Sequence, residues 1–529
     1  MTTTLRLGHR RSRPRVDRLI AGRLPVFVAL VGLMAWAVHA RTRDLGAPLW
    51  IDEGISFGVA HHPLWAIPGV LRQDGAPPLF YMLLHVWTAV LGSTVRSGHV
   101  LSLLFAVLAI PAAFWATGGV FGRRAGVFAA VLVALDPFAA TYAIEVRMYS
   151  MLLLMGLLAT GAFLRAFVVA PGHRGWALGV AGALAAVMYT HNWGLFYVAA
   201  AGLVWLCLVA ASGRPLRRQL MISGAIGFGG ALVLFLPWLP IVVVQAQHTG
   251  APWSHAPHWK SISTAFERLL GGRVPETVLL LFALAGCGQL LRADRYPAVR
   301  RAALATAGVA LLTFAVAYAW SNLSSPAWAL RYLVIVLAPV AIVIAAALSR
   351  AGPVAVAVLA VIFVGSWYGK PTHAAMAHKS NVAEVAQRLG PVLPAGVQVF
   401  STQPEEVPVL HYYLPPSTRF ATPLGRVADA GVMDWRDAMA RLDRPEAATT
   451  FAQVLRRLRS GQQLLLVQPR FSAPSAPWTR RIRQLARRVQ HDRLADPTVR
   501  VIDSVLPQHG FGRATVSALL LERQPASGQ

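Results

Sequence analysis

The sequence predicts an α-helical polytopic membrane protein of about eleven transmembrane helices followed by an extracytoplasmic α/β domain. Three observations predict it. Of the 529 residues, 56% are hydrophobic and 13% charged, with a mean hydropathy of +0.52; a soluble chain this apolar does not cover its own surface. The apolar residues fall in runs close to the ~20 residues that cross a bilayer. The formal charge of +27, carried almost entirely by arginine, sits in short clusters between those runs. That distribution is the positive-inside pattern of membrane loops, not a nucleic-acid surface. Membrane lipids are therefore expected partners, and nucleic acid is not.

Residues 1–20 read as a basic cytoplasmic arm, and 21–40 as an uncleaved first span, because no small-residue cleavage site follows the run. Further spans are expected near 97–119, 126–142, 148–168, 175–190, 193–212, 219–243, 275–292, 301–320, 331–349 and 352–368. Between the first two lies an external loop, 41–96. Within it, 55–71 holds His61, His62, two prolines and, just beyond, Arg72, which suits a surface-lying helix. The run 77–92 is the ambiguous case. If it lies at the interface, Arg123 and Arg124, Arg214, Arg217 and Arg218, and Arg300 and Arg301 all fall on the side of the N-terminal arm. If it crosses, every one of them lands outside, against the positive-inside rule. The interfacial reading is the consistent one, and it puts the N-terminus in the cytoplasm of a multi-pass plasma-membrane protein. Cys207 and Cys287 lie in apolar stretches and read as packing residues.

The transmembrane domain is expected to end near residue 370. Residues 371–529 carry charges, prolines and short alternating runs, which predicts a soluble α/β domain on the outer side. Its expected strands are 397–401, 463–467 and 514–521, and its expected helices 381–389, 404–413, 451–459 and 478–490.

With that topology, polar residues collect at the outer ends of the spans. Asp52 and Glu53 follow the first span, and Asp74 lies in QDGAPPLFY. Glu145, Arg147 and Tyr149 lie in YAIEVRMYS, His191 and Asn192 in YTHNWG, and Arg331 and Tyr332 at the entry to a late span. Ionisable groups at a membrane boundary are costly unless paired or working. This set suits transfer from a lipid phosphate. A hydroxyl nucleophile needs a carboxylate to take its proton, which Asp52 or Glu53 supplies. A departing phosphate needs fixed cations, which Arg147 and Arg331 supply. Asp74, His191 and Asn192 are further candidates for the substrate pocket. The histidines at 248, 255 and 258 fit no ligand spacing, so no metal site is assigned.

These motifs resemble the GT-C class of polyprenyl-phosphate-sugar glycosyltransferases, and within it the bacterial relatives of protein O-mannosyltransferases and of lipid A aminoarabinose transferases. The segments WIDEG, DGAPPLFYMLLHVW, GRRAGVFAAVLVALDPF, YAIEVRMYS, YTHNWG and ALRYLVIVLAP occur in family order across roughly residues 45–345. The resemblance implies a GT-C-like membrane domain over 21–370 with Asp52 as catalytic carboxylate and Glu53 beside it. It implies that Glu145, Arg147 and Tyr149 line the donor pocket, and that Arg331 contacts the carrier phosphate. A polyprenyl-phosphate sugar is the implied donor, mannose-like by preference, and an extracytoplasmic glycan, lipid or protein hydroxyl the acceptor. No cofactor is implied, with a divalent cation left open. Ala76 precedes Pro77 and Pro78 where many relatives carry a histidine, so no role is carried over to that position. The rival class is a transporter or lipid flippase, for which internal repeats and mid-span charges are expected; neither is present in the sequence.

Overall fold

The computed structural model describes residues 15–291, 297–352, 357, 376–471, 476–507 and 514–525. The chain opens with α1 (Arg15–Thr42), whose apolar run continues the basic arm. The first loop then forms three short helices: α2 (Ile51–His61), α3 (Ile67–Asp74) and α4 (Leu79–Leu91). The expected surface helix over 55–71 is thus two helices, broken at His62–Pro63, where a proline ring cannot follow a helical turn. At 13 residues, α4 is about 20 Å long, well short of a ~30 Å bilayer core.

The helical part continues with α5 (Val95–Phe121), α6 (Arg123–Leu135), α7 (Pro137–Tyr142), α8 (Tyr149–Leu164), α9 (Arg174–Thr190) and α10 (Trp193–Ala210). It goes on through α11 (Arg214–Gly224), α12 (Gly230–Phe235), α13 (Leu239–His248), α14 (Lys260–Leu269), α15 (Arg273–Leu291), α16 (Pro297–Leu323) and α17 (Val334–Leu348). Among the described residues seven helices are long and apolar enough to cross a membrane, or eight if the pair 260–269 and 273–288, bent by 84°, is one span.

The difference from about eleven has local causes. The run 126–142 is cut where Asp136 caps α7, its carboxylate accepting from the Ala139 N–H at 2.8 Å, with Pro137 at the first helical position. Helix α9 has 17 residues. The expected span 275–292 joins the bent pair, and 352–368 lies outside the described residues apart from two positions. Helix α17 is apolar all round and buried along nearly its whole length, as the centre of a bundle must be. Small residues let α8 close in on its neighbours: a Cβ on Gly156 would meet Ile335 and Ala338 of α17, and one on Gly161 would meet Trp115 and Ala116 of α5.

The C-terminal part is a six-stranded mixed sheet in the order β3-β2-β1-β4-β6-β5. Its strands are β1 (Gln398–Ser401), β2 (Arg419–Thr422), β3 (Gly425–Arg426), β4 (Gln463–Pro469), β5 (Val499–Val505) and β6 (Val516–Arg523). Strand β1 pairs in parallel with β2 and β4, while β6 runs antiparallel to both β4 and β5. Helices α18 (Val382–Leu389), α19 (Val407–Tyr413), α20 (Ala438–Asp443), α21 (Pro445–Arg457) and α22 (Pro477–Ala495) complete it. In α22, Trp478, Ile482, Leu485 and Val489 are buried at helical spacing, leaving the arginines on the outer face.

The two parts are packed together, and α2 lies in the seam. A Cβ on Gly54 would strike the Val409 backbone, and one on Gly58 would collide with the Gly431 carbonyl. The Leu49 N–H donates to the Tyr413 hydroxyl at 2.8 Å, and the Tyr412 hydroxyl donates to the Ser93 carbonyl at 2.8 Å. Whatever α2 carries is therefore held from both sides.

Candidate active site

Asp52 and Glu53 occupy the first turn of α2, where free backbone amides favour acidic side chains. Successive helical residues point about 100° apart, and the two carboxylates part company. Glu53 turns into the protein and is fully buried. It accepts from the Trp50 N–H at 3.1 Å and the Val146 N–H at 3.0 Å. It also pairs with His99 Nε2 at 2.8 Å and Lys379 Nζ at 2.7 Å. Burial alone disfavours its charge, but Lys379 and His99 outweigh that and hold the carboxyl down at about 2. Glu53 therefore ties α2, α5, the 143–148 turn and the entry to the sheet domain to one ionised group.

Asp52 faces the other way, into a cavity of about 560 Å³. Its Oδ2 lies 3.9 Å from Arg147 Nε and 3.6 Å from an Arg331 terminal nitrogen. Among the described residues this buried oxygen accepts no hydrogen bond. Arg147 is aimed by donating to the Tyr81 hydroxyl at 3.0 Å and the Asp52 carbonyl at 3.3 Å. Arg331 lies over the Trp253 ring, 4.8 Å from its centroid. Both arginines line the cavity.

Asp74 ends α3 on the same cavity wall. Burial raises its carboxyl, Arg147 pulls it down and Asp52 pushes it up again, leaving it at about 6. The corner after it is held by Asn192, which donates to the Gly75 carbonyl at 2.8 Å, and by Gln245, which donates to the Leu71 and Ala76 carbonyls at 2.8 and 3.2 Å. Gly75 itself has φ of 94°, and a Cβ there would press on Thr249, so the turn requires glycine. His191 accepts the Trp193 N–H on Nδ1 at 3.0 Å, which leaves the proton on Nε2. Burial, then Arg147 and Arg331, hold this ring down at about 3, so it is a neutral donor. It packs on Tyr332 with centroids 4.5 Å apart.

Of the residues expected from sequence, Asp52, Asp74, Arg147, His191, Asn192, Arg331 and Tyr332 line this one cavity. Glu53, Glu145 and Tyr149 do not; all three are fully buried behind its wall. Glu145 takes the Arg147 N–H on its carbonyl at 2.6 Å, shaping the turn that presents Arg147. Tyr149 packs between Tyr142, His191 and Tyr332. Sequence reading missed Tyr81, Trp253, Lys379 and Trp435. Tyr81 sits in a segment that carried the resemblance and was the readable one. Among the described residues no group of three or more His, Cys, Asp or Glu side chains is placed to hold a metal.

Beyond the charged end the cavity becomes apolar. Leu195, Phe196 and Ala199 of α10, Val242 and Ala246 of α13, and Val316 and Trp320 of α16 line it. Trp320 is also 45% exposed, so this apolar end reaches the outer surface of the helical part. A site that joins two guanidiniums and a carboxylate to an apolar slot suits a phosphate on a long hydrocarbon chain.

A helical membrane bundle, short helices in the first loop and a C-terminal sheet domain define a membrane protein of the GT-C fold. Neither family models nor curated protein sequences match this chain. Solved structures do. ArnT, the lipid A aminoarabinose transferase, from Cupriavidus metallidurans bound to undecaprenyl phosphate superimposes with a TM-score of 0.62 at 14% identity, covering 96% of this chain and 99% of that one. Its apo state gives a TM-score of 0.62 at 15% identity over 95% and 98% of the two chains. The oligosaccharyltransferase AglB from Archaeoglobus fulgidus, in complex with an inhibitory peptide and a dolichol-phosphate, gives 0.51 at 14% identity over 84% and 69%. The resemblance read from the sequence is thus borne out in the fold.

Proposed function

We propose that this chain is a membrane glycosyltransferase that moves a sugar from a polyprenyl-phosphate carrier to an acceptor hydroxyl outside the cytoplasm, with inversion. The observation that carries the reading is Asp52. Its Oδ2 is buried, within 4 Å of the guanidiniums of Arg147 and Arg331, at the polar end of a cavity whose other end is apolar. The acceptor hydroxyl attacks the anomeric carbon as the bond from that carbon to the phosphate oxygen breaks. Its proton passes to Asp52, and the carrier leaves as a phosphate held by Arg147 and Arg331. A single displacement of this kind inverts the anomeric centre. The neutral Nε2–H of His191 is a fixed donor for a substrate oxygen.

The fold supports this reading, since two solved structures that share it were bound to undecaprenyl phosphate and to a dolichol-phosphate. A mannose-like sugar is the favoured donor, on the sequence resemblance to protein O-mannosyltransferases. The loop charges support a cytoplasmic N-terminus and an outward-facing sheet domain.

Binding tests the donor site without knowledge of the sugar. Undecaprenyl phosphate is expected to bind the purified protein in nanodiscs, and undecaprenol is not expected to compete. Arg331→Ala and Arg147→Ala should each weaken the phosphate lipid about tenfold or more, the scale of a lost charge-assisted hydrogen bond. Equal binding of the two lipids, unchanged in both variants, would remove the donor assignment.

A further inference from the structure

Lys379 belongs to the sheet domain by its backbone. The Ala514 N–H donates to the Lys379 carbonyl at 2.9 Å, and the Asn381 N–H donates to the Ala514 carbonyl at 3.3 Å. Asn381 also exchanges hydrogen bonds of 2.8 and 2.9 Å with Val516, the first residue of β6. The Lys379 side chain goes the other way. It is 2% exposed, and its ammonium lies 2.7 Å from Glu53 Oε2 on α2.

Charge balance does not account for that ammonium. His99 Nε2 lies 2.8 Å from Glu53 Oε1, and His99 Nδ1 lies 2.9 Å from the Leu45 carbonyl. A carboxylate and a carbonyl only accept, so the ring donates from both nitrogens and is a cation. His99 by itself balances Glu53. Among the described residues neither cation pairs with another acid, so Lys379 is a second cation taken out of water at a cost.

The carboxylate between them shows what that cation does. Glu53 Oε1 takes His99 and the Val146 N–H at 3.0 Å, while Oε2 takes Lys379 and the Trp50 N–H at 3.1 Å. Each oxygen thus holds one cation and one backbone N–H. Trp50 caps the helix that presents Asp52, and Val146 directly precedes Arg147. One carboxylate therefore ties the backbone that carries the proton acceptor to the backbone that carries the phosphate-holding cation. His99 fixes its Oε1 edge from α5, and Lys379 fixes its Oε2 edge from the sheet domain. Single displacement needs those two groups at a set spacing, and a misplacement of about 1 Å costs on the order of 100-fold in rate.

We infer that Lys379 is a positioning residue for transfer: acting through Glu53, it fixes Asp52 relative to Arg147 and makes their alignment depend on docking of the sheet domain. This rests on the transferase reading above. Lys379 does not line the cavity, so it acts on the reaction only through Glu53.

Lys379→Met and Lys379→Arg, as full chains in nanodiscs, test it beside Phe451→Leu. The last loosens the Phe400–Phe451 pair, in a core cluster separate from the one around α2. With radiolabelled undecaprenyl-phosphate sugars, Lys379→Met should lose about 100-fold in kcat while KM for the donor moves less than about threefold. Lys379→Arg keeps the charge and should return to within about tenfold of wild type. Phe451→Leu should transfer as wild type despite a lower melting temperature. Deuterium uptake gives a readout that needs no donor. Peptides holding the Trp50 and Val146 amides should exchange faster in Lys379→Met, with β4 and β6 as protected as in wild type. Should Lys379→Met not fold, the double variant Glu53→Gln/Lys379→Met, which removes both charges, takes its place with the same expected loss. Wild-type kcat without the ammonium, an equal loss in Phe451→Leu, or unchanged exchange at both amides would each overturn the inference. Wild type that neither binds undecaprenyl phosphate nor turns over any donor would strike the transferase reading instead, and the exchange comparison would still decide whether Lys379 holds the two turns.

Discussion

Asp52 and Glu53 are neighbours in sequence with opposite tasks. One helical step of about 100° sends Asp52 into the cavity and Glu53 into the core. Charges at the ends of apolar runs are legible because the membrane makes idle ones expensive, which is how Asp52, Arg147 and Arg331 were found. Which of two adjacent acids faces a cavity depends on packing around α2, and sequence does not carry that. Asp74 adds a pH dependence. Its carboxyl is raised from 3.8 to about 6, first by burial, so the folded state holds the proton more tightly than the unfolded one. The resulting stability is fully present below the unfolded value and is lost as pH rises through the folded one. Asp74→Asn cannot ionise, so it should melt several degrees above wild type at about pH 7.5 and match it near pH 4. Thermal unfolding in detergent at the two pH values reads this directly; a gap that is the same at both would contradict it.

Elements were legible where a run of one periodicity was long. The helices spanning 95–121, 149–169, 193–210, 297–323 and 330–348 follow apolar runs whose length alone declares them. The break at Asp136–Pro137 was readable too, since proline at a helix start and aspartate before it are stop-and-start signals. Strands β2 and β3 were not, with four and two residues and no alternation to detect. Strand β5 sits at the sheet edge with Arg500, Val501, Ile502 and Asp503 exposed, so its pattern is not that of a half-buried strand. At this scale α2 is the element that matters, because it is wedged between the bundle and the sheet domain. A methyl group at Gly58 would collide with the Gly431 carbonyl. Gly58→Ala should therefore cost about 1–3 kcal/mol by overpacking, whereas Gly182→Ala, with open space around its Cβ, should cost nothing. Equal melting temperatures for the two variants would mean that α2 is not clamped there.

In the whole molecule, the fold brings together groups that lie hundreds of residues apart. Lys379, at the entry to the sheet domain, balances the Glu53 carboxylate that also receives the N–H of Val146, next to Arg147. Trp435, from the sheet domain, lines the same cavity. Neither residue lies in a motif, and their importance comes from docking between two parts that the sequence presents separately. The cavity that results joins a carboxylate and two guanidiniums to an apolar slot, the combination on which the proposed lipid-phosphate donor rests.

The proposed role of Asp52 in transfer from a polyprenyl phosphate is open to a single assay. Purified protein in lipid nanodiscs is offered a panel of radiolabelled undecaprenyl-phosphate sugars with cell-envelope fractions as acceptor, alongside Asp52→Asn. Wild type should release undecaprenyl phosphate from at least one donor and label the acceptor, and Asp52→Asn, folded and still binding the lipid, should do so about 100-fold more slowly or less. Transfer at wild-type rate by Asp52→Asn would contradict the account.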